Sequence, residues 1–270
     1  MGESNSDEML AVVAGGGNLP LRIIEKLDSL RRKFIVISIA GFGPPGFRKF
    51  EMGAIGKMLD CIKESNATQL VFCGDVKRPS FFSLKLDAIG KKWLTSLGIR
   101  SFLGDDALLK GIKKLLEREG IKVIGTQSIL STLLTPPGIL TSGRKPNDLD
   151  LRDIARGVFV LNTLSKADVG QAVIVQEGVV LGIEAIEGTA ELIARCKPLK
   201  LRERGGVLIK TSKMNQERSV DLPAIGKMTV SSVAACGLNG IALGTNDSQI
   251  IDYEETIAAA NSSKIFVIGF

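Results

Sequence analysis

The 270-residue chain contains no histidine. That absence removes the commonest general base at neutral pH, the commonest transition-metal ligand, and the base of every Ser-His or Cys-His nucleophile pair. Hydrolytic chemistry in such a chain falls to carboxylates and a hard cation. Aromatics are sparse as well, with one tryptophan, one tyrosine and 11 phenylalanines. They form no aromatic-and-basic stacking motif, so nucleic acid is not an expected partner. The four cysteines, Cys61, Cys73, Cys196 and Cys236, include no C-x-x-C pair and read as reduced core thiols. No apolar run reaches the length of a spanning helix, and the opening M-G-E-S-N-S-D-E-M has neither a basic stretch nor an apolar one. A cytoplasmic protein is expected.

What is present suits a folded α/β protein. Hydrophobic residues make up 44% of the chain, ample for a core, and 35 basic residues against 29 acidic leave a net charge of +6 that favours anionic partners. Met9 to Ala14 is an apolar run suited to a strand buried on both faces, and Gly15, Gly16 and Gly17 follow it at once. A helix comes next, with Asn18 as its cap, and Phe34 to Ile39 closes a β-α-β unit. The glycines admit two readings, a tight strand-to-helix turn or a backbone cradle for phosphate. A dinucleotide fingerprint fits poorly, because Pro20 takes the third glycine's place and the second strand ends without an acid.

Further strands end at Gly74-Asp75 and at Thr126, and G-A-I-G-K, with Gly56 and Lys57, opens a helix that is not a P-loop. Between Lys77 and Arg100 six basic residues and one acid alternate with Phe81, Phe82, Trp93 and aliphatic residues. That segment reads either as a membrane-interface element or as a lid or helix packed on the core. Asp105 and Asp106 start an amphipathic helix, as caps or as metal and substrate contacts. Thr135-Pro136-Pro137-Gly138 is the clearest linker signal, giving domains at 1–135 and 136–270. The expected fold is thus two α/β domains, an N-terminal Rossmann-like parallel sheet and a C-terminal mixed α/β domain.

In the second domain a hairpin at Glu177-Gly178 returns through Val179 to Ala185, and strict alternation places Glu184 away from the more apolar face. Glu187 and Thr189 stand at the start of a helix, Thr189 as a candidate N-cap, and the two glutamates as caps or as metal ligands. The stretch Lys210 to Gly226, K-T-S-K-M-N-Q-E-R-S-V-D-L-P-A-I-G, lacks helical spacing and reads as a polar loop between apolar runs. Its lysines, amide and carboxylates are the mixture that holds a divalent cation beside an anionic phosphorus centre, although a merely solvated loop has the same look. Asp221, between Val220 and Leu222-Pro223, is the carboxylate singled out there.

Seven segments in register resemble one family, the UDP-2,3-diacylglucosamine pyrophosphatases of the LpxI type. They are A-G-G-G-N-L-P, G-A-I-G-K, C-G-D-V-K-R-P, G-D-D-A-L-L, D-V-G-Q, E-A-I-E-G-T and Q-E-R-S-V-D-L-P-A-I-G. The resemblance implies hydrolysis of UDP-2,3-diacylglucosamine to lipid X and UMP, dependence on Mg²⁺ or a similar cation such as Mn²⁺, a homodimer, and a peripheral place on the cytoplasmic leaflet of the inner membrane. It implies that Asp221 is the essential aspartate. Gln216 and Lys210 are expected beside it as catalytic partners, and Glu184 and Glu187 as further metal ligands. Substrate contacts are expected at Gly15, Gly16, Gly17, Asn18, Gly56, Lys57, Gly74, Asp75, Asp105, Asp106 and Thr126, and at Gln171, Gly188 and Thr189 in the second domain. Two rival functions follow from the glycine loops, a nucleotide-dependent oxidoreductase and a non-catalytic sugar-nucleotide or lipid binder.

Overall fold

A computed structural model describes residues 8–76, 84–98, 105–213, 219 and 222–270, with the side chains of Asp105 and Asp106 outside the description. The described residues up to 131, with Ser219, form one compact unit, and 132–213 with 222–270 form a second.

The first unit is built on a five-stranded, all-parallel sheet. In chain order it runs β1 (Met9–Ala14), α1 (Leu19–Ser29), β2 (Phe34–Ile39), β3 (Arg48–Phe50), α2 (Ile55–Glu64), β4 (Ala67–Cys73), α3 (Ala88–Leu97), α4 (Asp105–Arg118) and β5 (Lys122–Ile124). The strand order β3-β2-β1-β4-β5 reverses between β1 and β4, the place where open parallel sheets present their ligand crevice. Leu10 and Val12 of β1 pack with Ile23 and Leu27 of α1, while Ala11 meets Leu59, Trp93 and Leu115 from α2, α3 and α4. A strand covered by helices on both faces can carry apolar side chains throughout, as Met9 to Ala14 does.

Trp93 is 9% exposed and faces that core, so the α3 part of the basic, aromatic segment is a packed helix. Residues 77–83 and 99–100 lie outside the described residues. The short β3 carries only Phe50 as a buried residue and has too little apolar patterning to announce itself.

The second unit holds a mixed six-stranded sheet. Its elements are β6 (Gly138–Ile139), α5 (Asp148–Leu164), β7 (Ala172–Gln176), β8 (Val179–Ile183), α6 (Thr189–Cys196), β9 (Val207–Lys210), β10 (Ala224–Ile225), α7 (Lys227–Cys236), β11 (Gly240–Leu243), β12 (Gln249–Ile250), α8 (Tyr253–Ser262) and β13 (Phe266–Gly269). The order is β6-β13-β11-β9-β7-β8, with β13, β11 and β9 parallel and β6, β7 and β8 joined antiparallel. Helix α5 covers one face, and α6, α7 and α8 cover the other. β10 and β12 form a separate two-stranded parallel pair.

The Thr135-Pro-Pro-Gly stretch read as a linker belongs to this second unit. Thr135 is fully buried, its N–H donates to the Ser248 carbonyl at 3.0 Å, and Gly138–Ile139 pair with β13. Helix α5 starts with a reciprocal cap in which Asn147 Oδ1 accepts the Asp150 N–H at 2.9 Å and Asp150 Oδ2 accepts the Asn147 N–H at 3.1 Å. Asp153, one turn on, accepts the N–H groups of Glu177 and Gly178, both at positive φ, and so ties the hairpin turn to α5.

Two expectations for the returning hairpin strand need correction. A bulge between Ile174 and Val175 pairs Ile174 with Gly182 but Val175 with Val180, which breaks the alternation at Leu181. Val180 and Ile183 therefore share the α5 side, and Leu181 turns to the α6 side. Glu184 is 9% exposed and lies with Gly182 on the α6 side, opposite Ile183, as alternation places it. Thr189 is also not the N-cap of α6. That position falls to Gly188, at φ +82°, and Thr189 is the first helical residue.

Candidate active site

At the carboxyl edge of the first sheet the sequence-flagged glycines meet one another. Gly16 and Asp75 exchange backbone hydrogen bonds of 2.8 and 3.0 Å, and the Gly15 N–H donates to the Cys73 carbonyl at 2.8 Å. A Cβ on Gly15 would stand 2.7 Å from the Asp75 carbonyl, and one on Gly74, at φ +87°, would stand 2.4 Å from the Gly16 carbonyl. Gly15 and Gly74 are thus explained by the close approach of two strand-end loops, the turn reading rather than the phosphate cradle. Gly17, Asn18 and the Asp75 side chain remain exposed on this rim. Asn18 occupies the N-cap position of α1 without a side-chain capping bond.

Elsewhere in the first unit, Asp87 takes two helix N-termini at once. Its Oδ1 accepts the Gly90 N–H of α3 at 2.8 Å and its Oδ2 accepts the Gly56 N–H of α2 at 2.7 Å. The Gly56 amide, among the expected substrate contacts, already has an internal carboxylate, a favourable partner for the positive end of a helix. Lys57 is exposed beside it. Asp105 and Asp106 open α4, and Thr126 is buried at the start of a 3₁₀ turn. Cys73, buried at the end of β4, has its thiol pushed up to about 12 by desolvation, so it is no nucleophile at neutral pH.

The carboxyl edge of the second sheet is different in kind. Lys210 ends β9, is 6% exposed, and its Nζ donates to Thr189 Oγ1 at 2.8 Å and to the Ala224 carbonyl at 3.2 Å. Thr189 Oγ1 donates to Glu184 Oε1 at 2.5 Å, and the Gln171 N–H donates to Glu184 Oε2 at 3.1 Å. The antiparallel placement of β7 beside β9 brings residues before β7 to this edge. Lys213 reaches one of them, donating to Asp168 Oδ1 at 2.5 Å and to its carbonyl at 3.2 Å. Thr211 Oγ1 donates to Asp247 Oδ2 at 3.2 Å from the loop after β11.

Four flagged residues, Gln171, Glu184, Thr189 and Lys210, are therefore brought together, and Gly188 supports them by its backbone conformation. Glu187 is drawn aside. Its Oε1 accepts from Arg195 Nε at 3.0 Å and Nη2 at 2.8 Å, and its Oε2 accepts the Ala185 N–H at 3.1 Å. Partial burial pushes its carboxyl up, but these donors outweigh that and hold it below the usual range. Gln216 and Asp221 lie outside the described residues. Sequence reasoning passed over Asp168, Lys213 and Asp247 as site residues. Asp168 was visible in D-V-G-Q, but nothing local in the sequence pairs it with a lysine 45 positions on.

Chemically, two largely buried ammonium groups with adjacent hydroxyls suit an oxyanion or phosphoryl group. Among the described residues no group of three or more Asp, Glu, Cys or His side chains could hold a metal ion.

A sequence model of the LpxI N-terminal domain matches residues 9–133, and one of the LpxI C-terminal domain matches residues 136–268. A protein of Caulobacter vibrioides named UDP-2,3-diacylglucosamine pyrophosphatase LpxI is 34% identical over 271 aligned positions, covering 96% of each chain.

Proposed function

The chain belongs to the LpxI family, and from that membership we propose that it hydrolyses the pyrophosphate bond of UDP-2,3-diacylglucosamine to lipid X and UMP, in lipid A biosynthesis. The observation that carries this reading is the buried pair of lysines at the carboxyl edge of the second sheet. They sit where a parallel sheet presents ligands, and they supply positive charge in a site without imidazole.

In this proposal Lys210 receives a phosphoryl oxygen and offsets the charge that grows on it as the anhydride breaks, with the Lys213–Asp168 pair beside it. Thr189 and Thr211 orient the two sides of the edge. Asp221 is the carboxylate assigned to Mg²⁺ or Mn²⁺. Of the other two carboxylates expected there, Glu187 is engaged by Arg195, and Glu184 by Thr189 and Gln171, so the assignment leans on Asp221. A divalent cation, when bound, would neutralise phosphoryl charge and lower the pKa of a coordinated water. Gln216 is assigned to orienting substrate or water.

In this proposal the protein is also a peripheral homodimer at the cytoplasmic leaflet of the inner membrane, and a diacylated substrate supports the membrane part of that reading. Among the described residues no helix is long and apolar enough to cross a bilayer. The test is incubation of the purified protein with UDP-2,3-diacylglucosamine in Mg²⁺ or in EDTA, with mass spectrometry of the products. UMP and lipid X in Mg²⁺ alone are expected. UDP in place of UMP, or no product, defeats the assignment; equal turnover in EDTA defeats the metal.

A further inference from the structure

Lys210 offers three protons from a side chain that is 6% exposed, and among the described residues it has two acceptors, Thr189 Oγ1 and the Ala224 carbonyl. The same hydroxyl serves Glu184, itself 9% exposed. Opposite charges buried this close attract strongly, because little water screens them. At the neighbouring position Lys213 and Asp168 have closed into a direct pair at 2.5 Å. Lys210 and Glu184 have not, and the Thr189 hydroxyl stands between them.

That hydroxyl has only one orientation available. An ammonium can only donate and a carboxylate can only accept, so the single Thr189 proton goes to Glu184 and a lone pair faces Lys210. Glu184 is fixed in turn from its other oxygen by the Gln171 N–H at 3.1 Å. The backbone that carries Thr189 is set by Gly188 at φ +82°.

We propose that Thr189 is a positioning residue that works through Lys210. By keeping the ammonium one hydroxyl away from Glu184, it stops the two charges from cancelling and leaves the third N–H of Lys210 for a phosphoryl oxygen. The inference rests on the hydrolytic reading above but is read out separately from it.

The experiment compares Thr189→Val, Thr189→Ser, Lys210→Met and the Val/Met double variant in the full chain. Binding of inorganic pyrophosphate is measured by calorimetry, and kcat and KM are measured with the diacylated UDP-sugar. Thr189→Val should weaken pyrophosphate binding by about tenfold or more, the scale of one charge-assisted hydrogen bond. It should also raise KM by a larger factor than it lowers kcat. Thr189→Ser should restore both, and the double variant should be no worse than Lys210→Met. Thr189→Ala replaces the valine variant if thermal unfolding shows that the latter is not folded. Unchanged pyrophosphate binding in Thr189→Val, losses that multiply in the double variant, or no pyrophosphate binding by the unaltered protein would each overturn the proposal. Thr189-dependent binding without UMP release would instead sink the hydrolase assignment and leave this inference standing.

Discussion

Both sheets of this protein end their parallel strands at a carboxyl edge, yet the edges are finished in different materials. In the first unit Gly15, Gly16 and Gly74 let two loops lock backbone to backbone, so the edge is stitched by peptide groups. In the second, Lys210, Glu184 and Thr189 meet as buried side chains, with Lys213 and Asp168 beside them. The contrast teaches that a shared parallel-sheet geometry supplies a place for a ligand, while the side chains that reach the edge decide what chemistry it can do.

The largest effect is expected from Asp221→Ala. Turnover should fall by about a thousandfold or more if Asp221 is the carboxylate that holds the proposed cation, with the unfolding midpoint little changed. Normal turnover would defeat the role assigned to Asp221.

The first edge should answer with stability instead. Gly74→Ala puts a Cβ 2.4 Å from the Gly16 carbonyl at φ +87°, and should cost about 2–4 kcal/mol in denaturant unfolding. Gly188→Ala, at φ +82° with nothing within 4 Å, should cost about 1–2 kcal/mol. Equal costs would mean that the loop closure contributes nothing beyond the dihedral.

The smallest effect belongs to Glu187→Gln. The Glu187 carboxyl is held below its ordinary value in the folded protein, so its contribution is present above the unfolded value and lost as pH falls through the folded one. Arg195 is 45% exposed in its side chain, and solvent screening limits the pair to a few tenths of a kcal/mol. The variant should lose that much at pH 7, show a flatter acid limb, and keep its turnover. A large drop in turnover would restore Glu187 as a metal ligand.

The order of strands and helices was legible from residue patterns, because apolar runs and helical spacing report directly on which faces are buried. Met9 to Ala14, Phe34 to Ile39 and Gly240 to Leu243 are examples. The seven motifs in register carried the family. What the patterns misplaced were Val180 and Leu181, because alternation predicts a face only while the register is unbroken, and a bulge opposite Ile174 and Val175 shifts it. They also took Thr189 for a cap, since capping is a local preference and the bond it makes runs to a lysine 21 positions away. Sequence determined that these residue types are present and in which elements they lie. Only the tertiary structure decided that β9, laid antiparallel to β7, sets Lys210 and Lys213 beside Thr189, Glu184 and Asp168, because distances across strands follow from sheet register and leave no trace in local spacing.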